Sequence, residues 1–166
     1  MGAGKTAIGR ELARHLNLEF VDADQEIERR TGADVALIFE KEGEAGFRRR
    51  ERELIQELTQ RERLVLATGG GAVLDPANRE ALSRGFVIYL KASVGAQAAR
   101  TAQNRNRPLL ETEDRQERLK QLFEVRAPLY EDLAELTVET DSGQVKQISQ
   151  RIISELERRG VASSQP

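Results

Sequence analysis

The chain has 166 residues, no cysteine, 26 basic and 28 acidic side chains, and a formal net charge of −2. That length suits one domain with its own core, the missing cysteines exclude a disulfide framework or thiolate metal site, and the charge balance speaks against a nucleic-acid binder held by a broad basic face. No apolar run approaches the roughly 18 residues a membrane helix needs, so a single cytoplasmic domain over 1–160 is expected, with a frayed tail over 161–166.

The chain opens on Gly2-Ala3-Gly4-Lys5-Thr6, which runs into Lys5 to Leu16, where Ile8, Leu12 and Leu16 recur at steps of four. That spacing predicts a helix with one apolar stripe. Glycines ahead of a helix let backbone N–H groups turn toward phosphate oxygens, the lysine reaches the β and γ phosphates, and the threonine hydroxyl suits Mg²⁺. The complete phosphate-loop pattern would place its first glycine two residues before Met1. The strand that normally feeds such a loop is therefore expected upstream of Met1, and its place in the sheet is expected to be missing from this chain.

Glu19 to Asp22 reads as a short strand ending in Asp22-Ala23-Asp24, with Asp22 and Asp24 on the same side of the strand end. Residues 25–61 are rich in helix formers, broken at Thr31-Gly32 and at Gly43; the last piece sets Phe47, Leu54, Ile55 and Leu58 on one face. Leu64 to Thr68 is a continuous apolar run that enters Gly69-Gly70-Gly71, as in a parallel strand covered on both faces. Asp75 and Pro76 are an N-cap and a first helical residue, and Gly85 closes that helix. Residues 86–90 form another apolar strand and 93–103 a helix. A polar, proline-containing loop follows over about 104–115. The next helix, to residue 135, carries an expected kink at Pro128. A strand over 136–140 and a helix over 145–159 complete the pattern. Strands alternating with helices predict a three-layer α/β/α fold with a short parallel sheet, without a repeat or a second domain.

Six motifs stand in order along nearly the whole chain: Met1-Gly2-Ala3-Gly4-Lys5-Thr6 with Ile8-Gly9-Arg10; Phe20-Val21-Asp22-Ala23-Asp24; Gly46-Phe47-Arg48; Thr68-Gly69-Gly70-Gly71; Arg107-Pro108-Leu109-Leu110; and Arg126-Ala127-Pro128-Leu129-Tyr130. Together they resemble the bacterial single-domain shikimate kinases, P-loop enzymes of aromatic amino-acid biosynthesis. The resemblance implies transfer of the γ-phosphoryl group of ATP to the 3-hydroxyl of shikimate, with Mg²⁺ as cofactor and a monomeric, cytoplasmic enzyme.

The resemblance also implies roles by residue. Gly2, Ala3, Gly4, Lys5, Thr6, Arg100 and Arg107 would bind ATP, with Lys5 and Arg107 supplying charge at the transferred group. Thr6 and, through water, Asp22 would hold Mg²⁺, an ion that keeps several waters. Asp24 would contact the acceptor hydroxyl and take its proton. Arg48 and Arg126 would clamp the ring carboxylate, which suits guanidinium forks, with Glu51 bracing Arg48 one turn along its helix. Gly69, Gly70 and Gly71 would approach substrate and phosphate, Phe39 and Phe47 would wall the ring, and residues 104–115 would form a lid over ATP. His15, opposite Ile8 and Leu12, reads as a solvated surface residue. Two alternatives stay open at this point: another small-molecule P-loop kinase, such as a gluconate or nucleoside monophosphate kinase, and a kinase-like sensor that keeps the pocket without turnover.

Overall fold

A computed structural model describes residues 2–101 and 114–161. The phosphate loop leads into α1 (Lys5–Leu16), whose N-cap Gly4 has φ 86°, a left-handed conformation that a side chain would strain. Next come β1 (Glu19–Asp22), α2 (Ala23–Thr31) and α3 (Val35–Leu58), the last interrupted at Gly43 (φ 70°, ψ 179°). β2 (Leu64–Ala67) enters the glycine run, a 3₁₀ turn over Ala72–Leu74 and α4 (Pro76–Leu82). β3 (Ile88–Lys91), α5 (Val94–Thr101), α6 (Arg115–Leu133), β4 (Leu136–Glu139) and α7 (Val145–Arg158) follow.

Both strand pairs are parallel. Glu19 to Asp22 of β1 register with Leu64 to Ala67 of β2, and Ile88 to Lys91 of β3 with Leu136 to Glu139 of β4. The helices cover the strands in two layers. Ile8 and Leu12 of α1 pack with Ile148, Ile152, Ile153 and Leu156 of α7 and with Val138 of β4. Across the strands, Ala23 and Ile27 of α2 pack with Ile38, Phe47, Leu54 and Leu58 of α3. Full burial of such side chains contributes about 1.5–3 kcal/mol each, and it fixes α2 and α3 beside the ends of β1 and β2.

The two pairs do not hydrogen-bond to one another. Between β2 and β3, cavities of about 310 and 560 Å³ are both lined by Leu64, Leu66, Phe86, Ile88 and Leu90. Among the described residues no strand lies between them. The expected full cover of β2 is accordingly not met: Leu64, Val65 and Leu66 are only half-buried, because they border this space.

Two local differences from the sequence reading have simple causes. Asp24 lies in the first turn of α2 and not on the strand, because the Asp22 carboxylate caps that helix by accepting from the N–H groups of Asp24 and Gln25. The glycine run continues into the 3₁₀ turn, closed by the bonds Ala72 N–H to Gly69 O and Leu74 N–H to Gly71 O. α6 begins at Arg115 as expected and continues as one helix through Pro128 to Leu133.

Candidate active site

The phosphate end of the site is built by Gly4, Lys5 and Thr6 where α1 begins. The Thr6 hydroxyl donates to Asp22 Oδ2 at 2.6 Å, so the capping carboxylate that starts α2 also meets the hydroxyl that starts α1. A hydroxyl and a carboxylate at hydrogen-bond distance are hard oxygen donors of the kind Mg²⁺ takes, with water and phosphate completing its shell. Among the described residues no group of three or more His, Cys, Asp or Glu side chains is arranged around a common point, and a metal held largely by phosphate and water requires none. Lys5 is half-buried and borders the cavities on both sides of the β2–β3 gap.

Arg100 on α5 donates to Gly2 O at 3.1 Å and to the carbonyls of Thr140 and Asp141. It ties the phosphate loop to the loop after β4; the resemblance had placed Arg100 among the ATP-binding residues. Ser93 N–H donates to Asp141 Oδ1 at 2.7 Å and fixes that loop from the other side. Arg107, Pro108 and most of the expected lid lie outside the described residues.

At the other end, charged side chains of three helices meet the glycine run. A β-carbon placed on Gly69 would sit 2.7 Å from Glu51 Oε1 and 3.0 Å from Asp24 Oδ1, and one on Gly71 would overlap the Arg48 guanidinium. The glycines are thus what allows Asp24 of α2 and Arg48 and Glu51 of α3 to press against this loop. Arg48 Nη1 donates to Glu51 Oε2 at 2.7 Å, and its Nε and Nη2 donate to Glu44 Oε1 at 3.3 and 3.1 Å. Arg126 of α6 completes the cluster, 4% exposed, with its Nε lacking a hydrogen-bond partner among the described residues. Arg126 contacts Tyr130, whose hydroxyl donates to Gly70 O and whose ring stacks on Tyr89 with centroids 4.9 Å apart.

The electrostatics follow from burial. Glu51 is fully buried, and desolvation pushes its carboxyl above the ordinary range; Arg48 pulls it down without cancelling the rise, and the charge of Asp24 adds to it. Burial also opposes the charge on Arg48, but Glu51 and Glu44 outweigh it and the net shift is upward. For Arg126 burial prevails and lowers its pKa, with the like charge of Arg48 acting in the same direction and Tyr130 and Glu44 opposing it. Two guanidinium groups therefore converge at the glycine run, one of them buried and short of a hydrogen-bond partner. Such a pair suits an incoming carboxylate. Phe39 and Phe47 flank this region with ring centroids 5.0 Å apart, and the Arg48 guanidinium lies 5.4 Å from the Phe47 ring centre.

The family model described as shikimate kinase matches residues 1–157. The chain belongs to the shikimate kinase family. A shikimate kinase of Methylococcus capsulatus is 56% identical over 161 residues, which cover 96% of this chain and 90% of that one. The structure of the Acinetobacter baumannii shikimate kinase in complex with shikimate superimposes with a TM-score of 0.94 at 49% identity, over 96% of this chain and 89% of that one. The Bacteroides thetaiotaomicron shikimate kinase superimposes with a TM-score of 0.85 at 34% identity, over 95% and 94% of the two chains. Shikimate kinases are ATP-dependent enzymes that phosphorylate a hydroxyl of shikimate, and the P-loop kinase fold expected from the sequence is the fold of these relatives.

Of the residues expected in a shikimate kinase site, the structure brings Asp24, Arg48, Gly69, Gly71 and Arg126 into one cluster and Thr6 and Asp22 into another. His15 is exposed on α1, as expected. Sequence reasoning gave no role to Glu44 or Tyr130. Both had a signal: each lies four residues from an arginine of the cluster, the spacing that places side chains on one helix face.

Proposed function

We propose that the chain phosphorylates the 3-hydroxyl of shikimate with these residues in the following roles. Arg48 and Arg126 bind the ring carboxylate, Asp24 holds the acceptor hydroxyl, and the N–H groups of Gly69, Gly70 and Gly71 line the approach to the transferred group. The acceptor oxygen attacks the γ-phosphorus, the bond from that phosphorus to the bridging oxygen breaks, and ADP leaves. The hydroxyl proton passes to the Asp24 carboxylate, which lies beside Gly69. Lys5 and Arg107 offset the charge on the phosphates, and the backbone of Gly2 to Gly4 cradles them. Thr6 and Asp22 would hold Mg²⁺, Asp22 through water; bound there, the ion neutralises phosphate charge. Arg100 orders the loop around Thr140 against the nucleotide, and the segment over about 104–115 closes over ATP. The reading takes the enzyme as a monomer, with a cytoplasmic setting supplying the ATP.

The observation that carries the reading is Arg126, a buried arginine beside a second arginine, with Nε unsatisfied among the described residues. The test is release of ADP from ATP and Mg²⁺ with shikimate, quinate or gluconate as acceptor. Turnover that depends on shikimate and is far weaker with gluconate is expected. Equal turnover with gluconate, or none with any acceptor, overturns the assignment.

A further inference from the structure

Arg48 is already engaged on two sides. Its Nη1 belongs to Glu51, which is fully buried and cannot leave without stranding its charge. The Nε and Nη2 edge, the one that grips a carboxylate with two parallel bonds, is occupied by a single oxygen of Glu44 at 3.3 and 3.1 Å. These bonds are longer than the 2.7 Å contact to Glu51. The Glu44 side chain is 49% exposed, against 19% for Arg48. Glu44 also acts electrostatically on Arg126, the other arginine of the cluster.

The backbone explains why this one carboxylate can come and go. Gly43, directly before Glu44, has φ 70° and ψ 179°, outside the helical region, so Glu44 begins a new run of helix after a break. A β-carbon on Gly43 would meet nothing within 4 Å. The break is therefore a feature of backbone conformation, not of crowding. It leaves Glu44 at a helix start with open surroundings, while Glu51, two turns on, is locked in the core.

We propose that Glu44 is an internal stand-in for the substrate carboxylate, holding the Nε and Nη2 edge of Arg48 in the empty site and yielding it when an anionic ring substrate enters. The inference rests on the reading of Arg48 and Arg126 as the carboxylate clamp. On entry the ring carboxylate exchanges with that of Glu44, which swings to solvent, and Glu51 keeps its bond to Arg48 throughout. Glu44 thereby sets specificity in a particular sense. An occupied fork penalises an acidic ligand, which must displace Glu44, but not a neutral one, which leaves Glu44 in place. The native residue narrows the preference for acids over neutral analogues.

The test measures the Kd of shikimate and of its neutral carboxamide, by calorimetric titration at low and at high salt, for the native chain, Glu44→Gln and Glu44→Ala. An exchanged surface ion pair is worth up to about 1 kcal/mol, or about two- to fivefold in Kd. Both variants are expected to bind shikimate about two- to fivefold more tightly at low salt, with the gain shrinking at high salt, and to leave carboxamide binding unchanged. Weaker shikimate binding in both variants makes Glu44 a brace for Arg48 and overturns the proposal. Unchanged binding, or a gain shared equally by the carboxamide, overturns it as well. Failure of the native chain to bind shikimate refutes the clamp itself, a different result from a bound native chain whose variants do not tighten.

Discussion

Replacing Arg126 with methionine separates the residue's service to the substrate from its service to the fold. The side chain is 4% exposed, its Nε has no hydrogen-bond partner among the described residues, and burial lowers its pKa. In the clamp it would give charge-assisted bonds to a carboxylate, each worth about 1.5–3 kcal/mol. With Arg48 still present, a loss of about 3 kcal/mol is expected, or about 100-fold in the Kd of shikimate. In the empty protein the same group carries a cost, because an unsatisfied buried donor destabilises by about 1–3 kcal/mol. Methionine keeps the apolar stem and forfeits the contact with Tyr130, leaving a net gain of about 1 kcal/mol, or about 2–4 °C in Tm. The assay pairs shikimate titration with thermal unfolding of unliganded protein, with ATP affinity as a control. Affinity should fall while Tm holds or rises. A Tm lowered by several degrees, in step with the loss of affinity, would show that Arg126 is a structural residue and refute the reasoning.

Two further outcomes are expected. Asp24→Asn keeps the first turn of α2 but removes the proposed proton acceptor, so kcat should fall by about 10²–10⁴ with unfolding unchanged; native turnover in that variant removes Asp24 from the chemistry. Glu26 is held down to about 2 by hydrogen bonds first from Arg29 and then from Arg30, against an ordinary 4.5. Its folded value is depressed, so its stabilisation is complete above pH 4.5 and is lost as pH falls toward 2. The full shift would correspond to about 3 kcal/mol, which solvent screening of so exposed a pair cuts to about 1 kcal/mol. Denaturant unfolding of Glu26→Gln should show a loss of that size at pH 6 that vanishes near pH 2; a constant difference across this range would remove the ion pairs as its cause.

The elements of this fold were legible where local chemistry decides them. The apolar stripe of α1 and the Asp75-Pro76 start of α4 are set by residues adjacent in sequence, and both fall where expected. Asp24 was misplaced because its conformation is set by the preceding side chain: once Asp22 caps α2, the strand has ended. The half-burial of β2 was hidden for a different reason, since an apolar run records the cover a strand is suited to, not the cover it has. Arg48 and Arg126 could be named from motifs, but 78 positions separate them along the chain, and their approach to one another depends on how α3 and α6 are placed around the glycine run. Glu44 escaped notice because an acidic residue in a charged helix looks like solvated surface until its partner is known to be the site arginine.

The gap between β2 and β3 links the core to the start of α1. Leu64, Leu66, Ile88 and Leu90 line both of its cavities, and Lys5, the first residue of α1, borders them as well. A substitution that repacks these walls therefore doubles as a perturbation of the loop ahead of α1.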